Sequence, residues 1–208
     1  MGFGCAEAMR RRPYGPCAWL VVDVDAPAAW ASALSRMDVS GVIEIVPAES
    51  TVVVRCERTR HDEVGAILDT VVHAESTGDP GPPLTIDVVY DGPDLAELAR
   101  TARLDVEDVV HLHSSGVYQV AFCGFSPGFG YLRGVDTRLH VPRRDTPRTS
   151  VPAGSIGVAA GYTCVYPAAS PGGWHLVGRT TTSLWDVERD PPALLRPGRT
   201  VRFRSVTP

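Results

Sequence analysis

One uninterrupted block, Phe122 to Leu184, constrains this chain more than any other stretch. Its 63 residues include ten glycines and six prolines, interleaved with Phe, Tyr, Trp and Val rather than with Ser or Gln. Disordered Gly/Pro segments lack apolar residues to bury, so this block is expected to be folded backbone of unusual shape. Gly permits positive φ and close backbone approach, and Pro fixes φ and removes a donor, so together they specify loops in detail. The block also holds six arginines (Arg133, Arg138, Arg143, Arg144, Arg148, Arg179) against Asp136 and Asp145, whereas the rest of the chain has 14 Arg against 22 acids. A cationic island in an acidic protein reads as an anion-binding face or as a solvated arginine-rich loop.

Composition narrows the chemistry. The 208 residues allow one large domain or two small ones, and 44% hydrophobic with 21% charged is ordinary for a globular protein. All 20 basic residues are Arg, which excludes a Schiff-base lysine, a Walker-A lysine and a biotin-attachment lysine on this chain. Five scattered cysteines (Cys5, Cys17, Cys56, Cys123, Cys164) show no C-x-x-C spacing, so neither a disulfide framework nor a zinc site follows. The apolar run after Arg10-Arg11-Arg12 is cut short by Asp23 and Asp25. No signal peptide or membrane span is expected, and the location is read as cytoplasmic.

Along the chain, residues 18–24 read as a buried strand and Pro27 opens a helix through Met37. The β-branched runs 41–46 and 51–56, split by the turn PAES, read as a hairpin. Val64, Ile67, Leu68, Val71 and Val72 fall at helical spacing within Arg60 to Glu75, and a loop at 76–83 leads to a strand at 84–90. The order β-α-β-β-α-β is that of a split-βαβ, ferredoxin-like unit, with His61 and His73 read as surface residues. Residues 94–114 read as two helices, with Asp94 and Glu97 as a capping box and Asp105 as an N-cap. The spacing resembles a helix-turn-helix, but Glu107 and Asp108 would face phosphates, so no nucleic-acid role is expected. A strand at 117–122 and short strands at 155–159, 162–167, 174–178 and 200–206 have the turn-separated spacing of a barrel or sandwich. The expected class is α+β, with domains at 13–90 and 91–208, the latter with a helical lead-in over 91–115.

The runs F-C-G-F-S-P-G-F-G-Y-L, P-R-x-x-x-P-R-x-x-V-P-A-G-S-I-G-V-A and Y-P-x-x-S-P-G-G-W-x-L-V-G-R-T closely resemble one family. It is the subunit-1 half of the allophanate hydrolase and urea carboxylase-related proteins, which includes the B subunit of prokaryotic 5-oxoprolinase and an inhibitor of a sporulation histidine kinase. The match is dense from about His113 to Asp186. The resemblance implies a small α/β N-terminal domain, a cyclophilin-like β-barrel domain and a partner subunit of related barrel fold. It implies a subunit of an ATP-dependent 5-oxoprolinase complex, with a lactam-utilisation subunit as further partner; the sequence itself offers no complete nucleophile-base-orienter set, so the chain alone is expected to be inactive. Half of a biotin-dependent carboxyltransferase, its biotin on a separate carrier, or a kinase inhibitor are the alternatives. No Walker A or Rossmann glycine pattern occurs, so ATP would occupy an unorthodox or shared site.

The residues themselves suggest how such a site would work. Val151-Pro152-Ala153-Gly154-Ser155-Ile156-Gly157 offers backbone N–H groups and a hydroxyl as an anion nest, or else a tight turn. Arg143, Arg148 and Arg179 can each fork onto a carboxylate or phosphate, although Arg143 could instead form an internal salt bridge. His113 is the general acid/base candidate, or alternatively caps its helix C-terminus. Phe125, Pro127, Gly128, Tyr131, Tyr162, Ser170, Gly172, Gly173 and Trp174 are taken to line the pocket. Phe125, Phe129, Tyr131 and Trp174 are read as packing more than as stacking surfaces. Where family members carry Gln-Thr-Gly this chain has Tyr162-Thr163-Cys164, a change that would alter substrate choice if the segment lines the pocket. Nothing in the sequence points to a lowered thiol pKa at Cys164.

Overall fold

The structure, a computed structural model, describes residues 10–71 and 82–207. Cys5, Val72, His73 and most of the expected 76–83 loop lie outside the described residues. The chain divides into two compact units, one up to Asp79 and one from Pro80.

In the first unit, strands β1 (Arg10–Pro13), β2 (Ala18–Val22), β3 (Val42–Pro47) and β4 (Val52–Cys56) form one antiparallel sheet, ordered β1-β2-β4-β3. Helices α1 (Pro27–Arg36) and α2 (His61–Leu68) cover one face. Period-2 alternation sends Trp19, Val21, Val52 and Val54 into the core, where they meet Trp30, Leu34, Val64 and Leu68. A methyl group on Gly65 would lie 2.5 Å from the Trp19 ring, so only glycine lets α2 approach that closely.

The β2-α1-β3-β4-α2 order is that of the expected split-βαβ plan, but its last strand is not the one anticipated. Residues 84–88 leave this unit and β1 takes the vacant edge. Ile86 and Val88 reach 0% exposure in the core of the second unit, so their apolar burial is supplied there. By contrast Arg-Arg-Arg-Pro suits an edge, where charge and proline discourage further pairing. Arg10 pairs with Asp23 at 2.7 Å and Arg11 with Asp69 at 2.6 Å, which tie β1 down. The boundary therefore falls before residue 84 rather than at 90.

The second unit is a β-barrel. Strands β5 (Leu84–Val88), β6 (Tyr118–Cys123), β7 (Gly130–Arg133), β9 (Ser155–Ala159), β10 (Tyr162–Val165), β12 (His175–Arg179) and β13 (Thr200–Ser205) form one sheet, ordered β12-β9-β10-β7-β6-β13-β5. A bridge between Val89 and Arg179 joins its two ends. A separate ribbon pairs β8 (Arg148–Val151) with β11 (Ser170–Gly172). Inside lie Tyr118, Val120, Leu132, Ile156, Val158, Val177 and Phe203, capped by Leu98 and Ala99 of α3 (Leu95–Ala102) and Val109 of α4 (Val106–Ser115). Neither α3 nor α4 has a side-chain cap, so the capping roles expected of Asp94 and Asp105 are not realised. Asp94 is committed elsewhere.

Candidate functional site

The hairpin loop between β6 and β7 builds one wall of a small cleft. Within it, Gly124 N–H bonds the Phe129 carbonyl at 3.2 Å and Phe129 N–H bonds the Ser126 carbonyl at 3.0 Å. This tight path holds Phe125 at φ 71°, a conformation uncommon for a bulky side chain, and leaves it 61% exposed. Phe129, Tyr131, Tyr166 and Trp174 form an edge-to-face aromatic cluster, with Phe129 set 5.4 Å from Tyr166 and Tyr131 5.8 Å from Trp174. Gly172 completes the wall, since a methyl group there would lie 2.5 Å from the Tyr166 hydroxyl. The cleft these residues line has a volume of about 90 Å³.

Arg143 reaches over this aromatic floor, its guanidinium carbon 6.0 Å from the Trp174 ring centre. Among the described residues it has neither an ion pair nor a hydrogen bond. Burial pushes the Tyr131 and Tyr166 hydroxyls above their ordinary range, with the Arg143 charge acting the other way. Both phenols therefore stay protonated at neutral pH. One unneutralised cation, two phenol groups and several ring faces suit a small, flat anion.

Arg144 and Arg148 are spoken for. Arg148 grips the carboxylate of Asp94 through both oxygens at 2.8 and 2.7 Å, and Arg144 reaches the same group at 2.8 Å and also Glu97. The Leu176 backbone N–H adds a bond at 2.8 Å. Burial by itself would raise the Asp94 carboxyl, but the Arg148 and Leu176 hydrogen bonds and the two arginine charges outweigh it and hold the carboxyl low. Arg144 N–H also bonds the Gly173 carbonyl at 2.8 Å, so this cluster fixes the backbone from which Arg143 projects. Arg179 bonds Asp91 at 2.9 Å beside the bridge that closes the barrel. The three arginines expected to converge therefore do not, because acids about fifty or more residues upstream claim two of them.

The expected nest is a turn whose donors are consumed. Gly154 N–H bonds the Tyr166 carbonyl at 2.7 Å, while the Ser155 N–H and hydroxyl both turn back to the Pro152 carbonyl, at 3.3 and 2.8 Å. A methyl group on Gly154 would meet the Thr180 carbonyl at 2.2 Å, so glycine serves a close approach here, as Gly157 does against Trp174 and Tyr166.

His113 is not available as an acid or base. It is 0% exposed, and its ring stacks on Phe203 at 4.7 Å. Thr163 donates its hydroxyl to the Gly157 carbonyl at 3.0 Å, so it must accept from His113 Nε2–H, 2.8 Å away. Nδ1 then accepts the Tyr90 hydroxyl at 2.7 Å. Burial pushes the imidazole down to about 3. His113 is a neutral core residue. Cys164 is likewise fully buried, its thiol pushed well up by burial despite a Gly157 backbone hydrogen bond and the Arg143 charge. It lies opposite Gly157 in β10, outside the positive-φ region, so cysteine fits where the family pattern has glycine.

Of the expected pocket residues, Phe125, Tyr131, Arg143, Gly172, Gly173 and Trp174 line the cleft. Pro127 and Gly128 shape its loop without lining it. Ser170 belongs to the β11 ribbon, and Tyr162 stands behind, edge-on to Tyr131 at 6.1 Å. Phe129, Tyr166 and Pro171 line it too; the sequence signal for the last two was their place in the Y-P-x-x-S-P-G-G-W run. No group of three or more His, Cys, Asp or Glu among the described residues could hold a metal ion. Nor is any described helix long and apolar enough to cross a membrane.

An α+β protein with a helix-capped barrel and an arginine-aromatic cleft on its glycine- and proline-rich side is thereby defined. The chain belongs to the family described as carboxyltransferase domain, subdomain C and D, whose pattern matches residues 18–195. It is 43% identical over 180 residues to the B subunit of 5-oxoprolinase from Escherichia coli O157:H7, covering 84% of this chain and 83% of that protein. Among solved structures, TTHA0988 superposes with a TM-score of 0.80 at 32% identity, over 92% of this chain but only 40% of that one. The Kluyveromyces lactis urea amidolyase shares the fold, with a TM-score of 0.70 at 20% identity over 96% of this chain and 15% of that one.

Proposed function

We propose that this chain is the B-type subunit of an ATP-dependent 5-oxoprolinase, a hydrolase complex that opens the lactam of pyroglutamate to glutamate. In this reading the arginine-aromatic cleft holds the anionic lactam or its intermediate. The observation that carries it is Arg143: a cation set over aromatic rings with no carboxylate among the described residues to neutralise it. Pyroglutamate presents complementary chemistry, a small flat ring for the Trp174 and Phe129 surfaces and a carboxylate for the guanidinium. At about 10–15 Å³ per water-sized position, a cleft of about 90 Å³ takes a ring of that size.

The same volume lies below the roughly 300–1,000 Å³ of drug-sized ligand sites, so the nucleotide is assigned to another part of the complex. With His113 and Cys164 buried, no nucleophile-base pair among the described residues opens onto the cleft. The chain is therefore assigned substrate holding, while a related barrel subunit and a lactam-utilisation subunit supply the remaining chemistry, in the cytoplasm. Reconstitution tests this by following pyroglutamate-dependent ADP release with each subunit omitted in turn. Activity is expected only when this chain and its partners are together. Full turnover without this chain, or none with every subunit present, would overturn the reading.

A further inference from the structure

Among the described residues of the N-terminal unit are two free cysteines, Cys17 and Cys56, that the cleft does not involve. In the antiparallel pairing of β2 with β4, Trp19 lies opposite Val54 and Ala18 opposite Arg55. One rung further, Cys17 lies opposite Cys56, and Cys56 N–H donates to the Cys17 carbonyl at 2.8 Å. Side chains alternate along a strand, so the Cys56 thiol shares the face of Val54, and Cys17, in the turn leading into β2, is near enough to influence it. Residues opposed at a hydrogen-bonded rung have Cα atoms about 5.5 Å apart, inside the roughly 4.4–6.8 Å that disulfides span. Their Cβ atoms, about 4.5–5.5 Å apart, are slightly wider than the roughly 3.5–4.5 Å of a relaxed bridge. A bond here would draw the strands together and carry strain, which makes it readily reduced.

Access is asymmetric. Cys56 is 0% exposed, whereas Cys17, just before β2, is half-buried. A cleft of about 370 Å³ opens against the residues flanking the pair, with Pro16 on one side and Arg58 and Thr59 on the other. Arg58 makes no ion pair among the described residues.

We propose that Cys17 and Cys56 form a reversible cross-strand disulfide by exchange with a small disulfide such as oxidised glutathione, whose carboxylate Arg58 receives. Cys17 gives up its proton and attacks one sulfur of the small molecule. That S–S bond breaks, and the departing thiolate takes up a proton. Cys56 then loses its proton and attacks the Cys17 sulfur, displacing the second small thiolate, which is protonated in turn. Two protein thiols are oxidised, and one small disulfide is reduced to two thiols. Burial raises the Cys56 thiol, and the neighbouring Cys17 adds to this, so the second step is the slower.

The test uses the full chain in graded mixtures of reduced and oxidised glutathione, quenched by alkylation and mapped by peptide mass. A Cys17–Cys56 link is expected, reversed by excess reduced glutathione. The Cys56→Ser chain should stop at a glutathione adduct on Cys17, and Cys17→Ser should give neither product. Closing a loop of about 40 residues should raise the thermal midpoint of the oxidised protein by roughly 10 °C, an effect absent in Cys17→Ser. Arg58→Ala should slow the exchange several-fold; an unchanged rate would remove Arg58 from the proposal. No link at the most oxidising ratio, a different pairing in the majority, or equal oxidation of Cys17→Ser would overturn the thiol pair. Should Cys56→Ser fail to fold, Cys17→Ser at its half-buried position still decides.

Discussion

In the aromatic cleft Arg143 meets rings and no carboxylate, whereas five residues further on Arg148 is gripped by Asp94 through both of its oxygens. The two arginines come from one segment, carry the same charge and match similar P-R motifs. What separates them is long-range: the acid that neutralises Arg148 stands 54 residues upstream, at the start of α3. Breaking a buried pair leaves an uncompensated charge, while removing an unpaired surface cation leaves nothing stranded. The first arginine is therefore placed for a ligand and the second for the fold. His113 extends the contrast, as a histidine kept neutral by its surroundings instead of held ready for a proton.

The largest expected effect concerns the interior. With its folded pKa at about 3 against 6.5 unfolded, His113 binds fewer protons in the folded state between those values. Its contribution is then fully present above about pH 6.5 and lost as pH falls toward 3, about 4–5 kcal/mol in all. Urea midpoints measured across that range should fall steeply, and His113→Phe should flatten the limb above pH 4 even if it begins less stable. Next in size, Asp94→Ala should cost about 3–5 kcal/mol by stranding Arg144, Arg148 and the Leu176 amide. An unchanged denaturation midpoint would erase the distinction drawn between the two arginines. Arg143→Ala should move stability by less than about 0.5 kcal/mol yet reduce turnover of the reconstituted complex roughly ten- to a hundred-fold. Arg148→Ala should do the reverse, losing stability first. The smallest effect is expected of Phe125→Gly, which relieves a positive φ and should shift the midpoint by no more than about 1 kcal/mol, while weakening pyroglutamate binding as seen in KM.

Much of the fold could be read in advance wherever local pattern and tertiary environment agree. Val52, Val54 and Cys56 alternate as a half-buried strand should, and Pro27 opens α1 at its first turn. The strands that escaped notice lack that agreement. β1 is three arginines and a proline, β7 starts on glycine, and β8 and β11 are short segments that pair with each other although β9 and β10 intervene in the chain, so their identity rests on distant partners. The strand at 84–88 was legible as a strand but not as a member of the barrel, because its alternation is the same in either sheet. For the site, the aromatic and glycine residues of the motif runs located the cleft. Charge alone could not reveal which arginines were already neutralised, nor that His113 faces inward while His111, two residues earlier, is exposed.

The ring of strands closes on a short clasp. Val89 and Arg179 exchange a pair of 2.9 Å bonds, and the segment beyond continues along β12 with Gly92 N–H to the Val177 carbonyl and Asp94 N–H to the Leu176 carbonyl, at 3.2 and 3.0 Å. Asp94 thus ends the clasp with its main chain and anchors two arginines with its side chain. Leu176 in β12 sits two residues from Trp174, the floor of the cleft, which lies just before that strand, so fastener and floor are on one continuous segment. When the barrel breathes, this fastener has the fewest rungs to break, and its loosening tilts the surface on which a ligand would rest. Amide exchange at Val89, Gly92 and Asp94 should accordingly outpace that of β9 and β10, and should slow when the cleft is filled.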